Sequence, residues 1–255
     1  MQYPKITIIT PSYNQAAFIE STINSVLTQN YPNLEYIVLD GGSTDGTIDI
    51  LHRYDSKIIW KSETDRGQSD ALNKGFRMAT GDIFAFINSD DTYEPGALLK
   101  VGEFYKDHPD AHWVTGKCKV IDTEGREIRK FVTAYKNMWL NIKSYTVLQI
   151  LDYISQPSTF WSREIVNKIG LFDDSLYFTM DYDYSLRVGR EFKLFLVNDY
   201  LADFRIHPAS KSVKIRDHFN ADYLIASKYI NIKFLKILHK LHNELVILAY
   251  RYLFS

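Results

Sequence analysis

Two adjacent carboxylates, Asp90 and Asp91, follow an apolar run in the segment DIFAFINSDDTYEP (Asp82–Pro95). Asn88 and Ser89 come just before them, and the segment contains no basic residue that would neutralise them. Like charges this close destabilise each other unless a cation or a shared proton intervenes. Mg²⁺ and Mn²⁺ prefer carboxylate oxygens and often keep water and phosphate oxygens as their other ligands. The pair therefore indicates a divalent-cation site, and the alternative is a solvated loop or a helix N-cap.

Polar segments also stand at the ends of two earlier apolar runs. TPSYN ends the β-branched run Lys5–Thr10, and DGGSTDGT begins where the run Leu34–Asp40 ends. In an open parallel sheet, ligands bind outside the carboxyl ends of the strands, where the strand order reverses. Three polar loops would then converge on one crevice, which indicates a ligand site more strongly than any of them alone.

The glycine-rich segment GGSTDGT (Gly41–Thr47) matches no known phosphate-binding loop. Thr47 and an isoleucine follow its last glycine, where a P-loop requires Lys-Ser/Thr, and the spacing also differs from G-x-G-x-x-G. A strand-to-helix turn with a polar N-cap is the other interpretation. We expect Asp40, where the strand ends, to contact a ligand.

The hydrophobic pattern of the first part of the chain alternates between strand and helix. Such alternation predicts a parallel sheet with right-handed crossovers, and continuous apolar runs fit strands that are buried on both faces. The predicted strands are Lys5–Thr10, Leu34–Asp40, Lys57–Glu63 and Gly81–Ile87, and the predicted helices are Ala17–Gln29 and Ser69–Thr80.

The second part of the chain is less regular, and Tyr135–Ile154 shows no clear period. A hairpin is predicted over residues 111–132 with its turn at DTEG. Further predictions are a helix over Gly96–Asp107, a strand over Ser158–Ser162, a helix from Arg163, a helix over Asp181–Glu191, a strand over Leu194–Asp199, and a helical tail from about Asp217.

The composition is that of an ordinary globular protein with a sizeable core, since 45% of the 255 residues are hydrophobic. A formal net charge of −1 gives no reason to expect nucleic acid as a partner. The single cysteine, Cys118, cannot form an internal disulfide. Neither a signal peptide nor a bilayer-spanning segment is found, so we expect a cytoplasmic protein.

Two groups of segments resemble family 2 nucleotide-sugar glycosyltransferases. ITIITPSYNQ, EYIVLDGGSTDGT and DRGQSDALNKGFRMATGDIFAFINSDD resemble the nucleotide-binding half, and QPSTFWSREIVNKIGLFDD and MDYDYSLRV resemble the acceptor-side half. The match runs from about Lys5 to His207. The resemblance implies the GT-A fold, a Rossmann-like α/β architecture with a mostly parallel central sheet flanked by helices. Residues 1–212 would form this domain (1–95 for the nucleotide, 96–212 for the acceptor), and 213–255 a C-terminal helical extension.

The resemblance also implies a set of nucleotide-binding residues. Thr10 and Pro11 would border the base, Tyr13 would stack on it, and Asp40 would accept a hydrogen bond from it. Asp65 or Arg66 would close the other side. The remaining nucleotide contacts implied are Asn88 and Ser89.

In this family, an Asp-x-Asp motif binds the metal, and Asn88-Ser89-Asp90 falls at that position. Asp90 would be the main ligand of Mg²⁺ or Mn²⁺, and because Asn88 lacks a charge we expect weaker ion binding but not a lost site. RIHPASKS resembles a C-terminal loop that meets the diphosphate or the metal. It makes His207 a metal or phosphate ligand and Lys211 a phosphate contact; the alternative for His207 is a structural role.

The family's general base is an aspartate preceded by an acid, and here Asp181 takes its place while Met180 replaces the acid. A base removes the proton of the acceptor hydroxyl as that oxygen attacks the anomeric carbon, which inverts the configuration. An N-capping role is the other interpretation of Asp181. Gln156, Trp161 and Asp183 are predicted for the sugar or acceptor pocket, although Trp161 also fits a core position.

The leading interpretation is an inverting transferase that moves a sugar from a nucleotide sugar, by default a UDP-sugar, to a hydroxyl of a glycan or lipid-linked acceptor in cell-surface polysaccharide synthesis. A catalytically weak nucleotide-sugar-binding subunit is the alternative that the Asn88 and Met180 departures favour. A metal-dependent nucleotidyltransferase is a third interpretation, which is disfavoured because this sequence has no basic glycine-rich loop near its N-terminus. The basic, amphipathic tail helix predicts peripheral contact with the inner face of a membrane, self-association, or packing on its own domain.

Overall fold

One mixed sheet forms the centre of the part of the chain described by the structure, a computed structural model that covers residues 3–253. Its nine strands run in the order β3-β2-β1-β4-β8-β6-β9-β5, and β7 pairs with β6. The strands are β1 (Ile6–Ser12), β2 (Leu34–Asp40), β3 (Ile59–Ser62), β4 (Ile83–Phe86), β5 (Thr92–Tyr93), β6 (Trp113–Ile121), β7 (Glu127–Ile128), β8 (Thr159–Ser162) and β9 (Leu194–Arg205).

Ten α-helices flank this sheet within residues 3–253. They are α1 (Ile19–Leu27), α2 (Thr47–His52), α3 (Gln68–Met78), α4 (Ala97–Asp107), α5 (Lys130–Leu140), α6 (Tyr145–Leu148), α7 (Arg163–Ile169), α8 (Met180–Gly189), α9 (Ile215–Tyr229) and α10 (Lys233–Leu253). Single 3₁₀ turns occur at Gln156–Ser158 and Lys211–Val213.

The parallel part of the sheet consists of the four strands that the sequence predicts. β1 pairs in parallel with both β2 and β4, and β2 pairs in parallel with β3. Every residue of β1 is buried, as expected of a strand covered on both faces. Ser12 lies opposite Asp40 at the carboxyl ends of β1 and β2, so their loops start side by side.

The mixed part of the sheet brings the end of β9 to the segment after β4. β8 joins antiparallel to β4 and β6, and β9 runs parallel to β6. The short strand β5 pairs antiparallel with β9, with Thr92 opposite Asp203. Because β5 directly follows the acidic pair in the chain, this pairing sets the C-terminal end of β9 beside Asp90 and Asp91.

The predicted hairpin is confirmed, but its second strand is shorter than predicted. β7 pairs antiparallel with β6, with Val120 opposite Ile128, and α5 begins at Lys130 where the prediction continued the strand. Arg129 has a left-handed backbone (φ 50°), which ends the strand. The segment without clear period contains the second half of α5 and all of α6. Met138 of α5 is 54% exposed, so the apolar pattern does not follow burial.

Apolar side chains fill both faces of the sheet. Ile6 and Ile8 join the cluster that contains residues of α1 and α4, and Ile9 joins the cluster that contains residues of α3 and α8. The predicted helical tail is confirmed as two helices, and Ile225 and Ile230 of the α9 region are buried in the second cluster. The domain boundary at residue 212 stays a prediction. No helix within residues 3–253 combines the length and the apolar character needed to cross a membrane.

Asp203 of β9 should make the protein less stable as the pH rises. Burial, and then the neighbouring Glu94, raise the pKa of Asp203 to about 6. Between about pH 4 and pH 6 the folded state therefore holds a proton that the unfolded chain has lost, and stability falls through this window. We expect Asp203→Asn to increase the free energy of unfolding by about 1–2 kcal/mol at neutral pH, measured by urea denaturation, and the gain to disappear at about pH 4.

Asp199 on the same strand is the matched control. Its pKa is lowered by its ion pair with Lys100, so Asp199→Asn should reduce stability at neutral pH and have no effect at low pH. An Asp203→Asn variant that is less stable than wild type at neutral pH would contradict this prediction.

Candidate active site

The fold supplies the positive partners that the local sequence of Asp90 and Asp91 lacks. The fully buried Asp91 carboxylate accepts hydrogen bonds from the backbone N–H of Arg205 (2.8 Å) and from Asn88 Nδ2 (3.2 Å). Arg205 Nε donates to the backbone carbonyl of Asp90 (2.7 Å). Asp90 Oδ2 lies 3.0 Å from His207 Nε2. Two residues at the end of β9, far away in the sequence, therefore meet the acidic pair.

Only one of the two carboxylates is available to a ligand. Burial, together with the charge of Asp90, raises the pKa of Asp91 well above its ordinary value, and its two N–H donors partly offset this rise. Asp91 therefore holds the loop together. The side chain of Asp90 is 18% exposed, and that of His207 is 7% exposed.

His207 is held in place on two sides. Its backbone N–H donates to Ser210 Oγ (3.0 Å), and its ring packs on Phe18 with 4.7 Å between the ring centroids. Its Nε2 is consequently directed at Asp90 by the surrounding structure. The structure thus brings together the two residues that the sequence predicts as metal ligands.

A carboxylate and an imidazole can serve as the protein ligands of a divalent ion. Within residues 3–253 no three acidic, histidine or cysteine side chains converge, so the site offers two protein ligands at this corner, Asp90 and His207. Mn²⁺ and Mg²⁺ commonly complete their shells with water and phosphate oxygens, so this number is sufficient. A mixed oxygen and nitrogen set fits Mn²⁺ better than Mg²⁺, which favours oxygen ligands.

A chain of hydrogen bonds connects the acidic corner with Lys211. Lys211 Nζ donates to Gln68 Oε1 (3.0 Å), Gln68 Nε2 donates to Asn88 Oδ1 (2.6 Å), and Asn88 Nδ2 donates to Asp91. Lysine can only donate, so the Lys211 end of the chain fixes the orientation of both amides. This explains the asparagine at position 88, since an aspartate there would offer no donor to the buried Asp91.

The glycine-rich loop is organised around Asp40, which is 2% exposed. Its carboxylate accepts hydrogen bonds from the N–H groups of Gly42 and Ser43 and from the hydroxyls of Ser43 and Ser62. Gly42 has a φ of +85°, which favours glycine. Asp40 therefore fixes the strand-to-helix turn that the sequence offers as one interpretation of this segment, and its contact with a base stays a prediction.

The three predicted base contacts from β1 and its loop differ in accessibility. Thr10 is fully buried, with its hydroxyl 3.1 Å from Tyr36 OH, and Pro11 is also buried. Tyr13 is 62% exposed and its ring is accessible for stacking. Ser12 Oγ is buried at the end of β1 and, in the described part of the chain, has no hydrogen-bond partner.

Asp65 and Arg66 lie at the start of α3, next to the glycine-rich loop. A Cβ atom on Gly41 would come within 2.8 Å of Asp65 Oδ2, so a larger residue there would displace the Asp65 carboxylate. Arg66 forms ion pairs with Asp70 (3.2 Å) and Asp174 (2.5 Å), and its side chain is 73% exposed. Ser89, which precedes Asp90 in the chain, is buried, at 4% exposure.

Asp181 lies in the first turn of α8, and its carboxylate has no hydrogen-bond or ion-pair partner among residues 3–253. The N-cap position belongs to Thr179, whose φ of 60° is a strained conformation for a β-branched residue. Met180 is 5% exposed, and its sulfur accepts a hydrogen bond from Ser69 Oγ (2.7 Å). Asp181 is partly buried and does not cap the helix, so the N-capping interpretation does not explain it.

The charge of Asp181 affects four titratable groups around it. Burial lowers the pKa of Lys211 and of His218, and Asp181 opposes both shifts. Burial raises the pKa of Asp152 to about 6, and burial also raises the pKa of Asp222 well above its ordinary value, with Asp181 contributing to both. His218 Nε2 lies 3.8 Å from Asp222 Oδ2. Residues of α9 therefore stand close to the predicted base.

The three predicted pocket residues are held in internal contacts. Trp161 is 1% exposed and packs within the core, which is the alternative that the sequence leaves open. Asp183 does not offer its carboxylate to an acceptor as predicted, because Arg187 Nε (2.9 Å) and Tyr229 OH (2.7 Å) both donate to it and it is 4% exposed. Gln156 Nε2 donates to the carbonyl of Phe86, the last residue of β4.

Four residues of this site were not predicted from the sequence. Gln68 and Arg205 lie within segments that carry the family resemblance, so the resemblance indicates where they lie but not which roles they have. Asp152 lies in the segment without clear period, and Asp222 lies in the tail. All four interact with residues from other segments of the chain, and no local pattern encodes these interactions.

The fold is that of the GT-A glycosyltransferases. The structure resembles residues 1–349 of S. aureus TarS in complex with UDP-GlcNAc, with a TM-score of 0.69 and 20% identity over 90% of this chain and 67% of that chain. It also resembles the mannosyltransferase PcManGT from Pyrobaculum calidifontis in complex with GDP-Man and Mn²⁺, with a TM-score of 0.70 and 21% identity over 98% of this chain and 70% of that chain.

The chain belongs to Glycosyl transferase family 2, whose sequence model matches residues 7–170. The predicted family and GT-A fold are thereby confirmed. One relative is the putative teichuronic acid biosynthesis glycosyltransferase TuaG of Bacillus subtilis, which is 37% identical over 139 residues, 53% of this chain and 55% of that protein. The chain spans between 39% and 70% of the length of the curated relatives that it matches.

Asn88→Asp should destabilise the protein in the absence of metal. The new carboxylate would face the buried Asp91 where an N–H now donates at 3.2 Å, and the bond from Gln68 would be kept. Loss of a donor to a buried acceptor costs about 1–3 kcal/mol, and like-charge repulsion adds to it. We expect a lower melting temperature at neutral pH and partial recovery when Mn²⁺ and a nucleoside diphosphate are added.

Asn88→Ala is the matched control, because it removes the donor without adding a charge. The prediction fails if Asn88→Asp is as stable as wild type, or if the two variants are equally destabilised and respond identically to Mn²⁺.

Proposed function

We propose that this protein is an inverting glycosyltransferase that moves a sugar from a nucleoside-diphosphate donor, by default a UDP-sugar, to a hydroxyl of a glycan or lipid-linked acceptor. The observation that carries the proposal is the carboxylate of Asp181, which has no hydrogen-bond or ion-pair partner among residues 3–253 and whose charge acts on Lys211. A continuous chain of hydrogen bonds runs from Lys211 to Asp91, the neighbour of Asp90 in the Asp90–His207 corner. A base and a site for the donor's phosphates are the two parts that such a reaction needs. Relatives such as TuaG support polysaccharide synthesis as the process.

In this reaction, Asp181 takes the proton of the acceptor hydroxyl. The acceptor oxygen forms its bond to the anomeric carbon while the bond from that carbon to the diphosphate oxygen breaks, and the leaving nucleoside diphosphate carries away the electron pair. The proton ends on Asp181 and passes to water afterwards. Attack from the face opposite the leaving group inverts the anomeric configuration.

The leaving diphosphate needs positive charge around it. Asp90 and His207 would hold a Mn²⁺ or Mg²⁺ ion, which, when bound, supplies a Lewis acid for the phosphate oxygens. Lys211 is a second source of charge, and burial lowers its pKa while Asp181 favours its protonated form. The solved complexes of TarS with UDP-GlcNAc and of PcManGT with GDP-Man and Mn²⁺ support a nucleotide-sugar donor here.

Nucleotide recognition would use the loops at the carboxyl ends of β1, β2 and β4. Tyr13 is exposed and would stack on the base, and Ser12 Oγ is an unsatisfied buried hydroxyl next to it. Asp40 and Asp65 flank the glycine-rich loop from two sides. Together these residues support the base and ribose contacts that the family resemblance implies.

A screen of nucleotide sugars by thermal stabilisation with Mn²⁺ should identify the donor, because a ligand that binds only the folded state must stabilise it. Asp181→Asn should keep this stabilisation and lower sugar transfer or donor hydrolysis by roughly 10²–10⁴-fold. Asp90→Ala should lose much of the stabilisation itself. The exposed Asp110→Asn is the control and should behave like wild type.

Four outcomes would contradict the proposal. Unchanged turnover in Asp181→Asn would show that Asp181 is not the base. Donor binding without any turnover by wild type would favour a nucleotide-sugar-binding subunit. Release of pyrophosphate in place of nucleoside diphosphate would favour a nucleotidyltransferase, and retention of the anomeric configuration in the product would exclude the inverting mechanism.

A further inference from the structure

Helix α10 exposes a row of apolar side chains to the solvent. The members of this row, which we name the α10 stripe, are spaced three or four residues apart and so lie on one helical face. They are Phe234 (63% exposed), Ile237 (56%), Leu241 (55%), Leu245 (58%), Leu248 (47%) and Tyr252 (74%).

Hydrogen bonds on the face opposite the α10 stripe attach the helix to the protein. His239 is buried with Nδ1 2.7 Å from the carbonyl oxygen of Gln149, and Asn243 Nδ2 donates to the carbonyl of Phe219 (2.8 Å). Leu235 and Leu238, which lie in the same part of the helix, are only partly exposed. The helix therefore has one face for its own fold and a second, apolar face that remains accessible.

Cations line one edge of the α10 stripe. Lys233, Lys236 and Lys240 each directly precede a stripe residue in the sequence, and Arg251 does the same at the C-terminal end. Glu244 is the single acidic residue of the helix. One residue is a rotation of about 100° on a helix, so these cations lie beside the stripe, where a lysine stem can cover apolar surface while its ammonium group reaches outward.

We propose that the α10 stripe docks on the surface of an anionic lipid bilayer, with α10 lying parallel to the membrane plane. An amphipathic helix with a basic edge binds such a surface through its apolar face and through attraction to anionic headgroups. A second copy of the chain is the less suitable occupant, because it would bring the same excess of positive charge against this helix. The inference is independent of the proposed chemistry, since it uses no residue of the candidate active site.

Binding of the full chain to vesicles tests this inference. We expect it to float with vesicles of phosphatidylglycerol and phosphatidylcholine in equal parts, and to bind pure phosphatidylcholine vesicles roughly 100-fold more weakly, because each lysine near an anionic surface contributes about a factor of five to ten. Added salt should weaken binding to the anionic vesicles.

Two triple variants separate the apolar and the basic contributions. Ile237→Ser with Leu241→Ser and Leu245→Ser should lower binding by at least roughly 100-fold. Lys233→Gln with Lys236→Gln and Lys240→Gln should lower binding to anionic vesicles by a similar factor and leave binding to neutral vesicles unchanged.

Exposed residues far from α10 provide the matched controls. Ile59→Ser with Met78→Ser removes exposed apolar side chains of β3 and α3, and Lys57→Gln with Lys61→Gln and Lys106→Gln removes three exposed lysines; both should bind like wild type. Unchanged melting temperatures would show that all variants fold.

The inference is overturned if the folded wild-type chain fails to bind anionic vesicles. It is also overturned if the serine triple variant binds as wild type does. A stable dimer in sedimentation experiments without lipid that the serine variant abolishes, with no vesicle binding by wild type, would assign the α10 stripe to self-association.

Discussion

The site depends on how the fold neutralises two adjacent carboxylates at the end of β4. Asp91 is fully buried and receives the backbone N–H of Arg205, while Asp90 faces His207 at 3.0 Å. Both partners come from the end of β9, which the pairing of β5 with β9 brings to this place. If that strand pairing were lost, a buried carboxylate would be left without its donor, which is among the more costly defects a protein interior can have. The pairing of the strands therefore determines whether the charges of the site are stabilised.

The same constraint explains the departures from the family pattern. Asn88 replaces an acid, and its amide donates to Asp91 while it accepts a hydrogen bond from Gln68. Met180 also replaces an acid, and its sulfur accepts the hydroxyl of Ser69 in a buried position. Each substitution fits its own surroundings in the fold. The substitutions therefore give no reason to regard the site as degenerate.

The sequence alone predicts the parallel half of the fold well, because β1 to β4 are apolar runs that need no distant partner to be recognised. Motif positions alone predict roles for Asp90, His207 and Asp181. What the sequence does not reveal is the pairing across the sheet: Arg205 donates hydrogen bonds to Asp90 and Asp91 from more than 100 residues away. Burial is the second property that the sequence does not reveal. Because the hydrophobic pattern contains apolar residues on several sides, it predicts neither the burial of Trp161 and Asp183 nor the exposed face of α10.

Pulsed electron paramagnetic resonance of bound Mn²⁺ tests the central claim most directly, because it detects a ¹⁴N nucleus bonded to the ion. With Mn²⁺ and a nucleoside diphosphate, wild-type protein should show coupling to one imidazole nitrogen, and His207→Gln should lose that coupling, whereas the exposed His52→Gln should keep it. A wild-type spectrum without nitrogen coupling, or one that persists unchanged in His207→Gln, would contradict the assignment of the Asp90–His207 corner as the cation site.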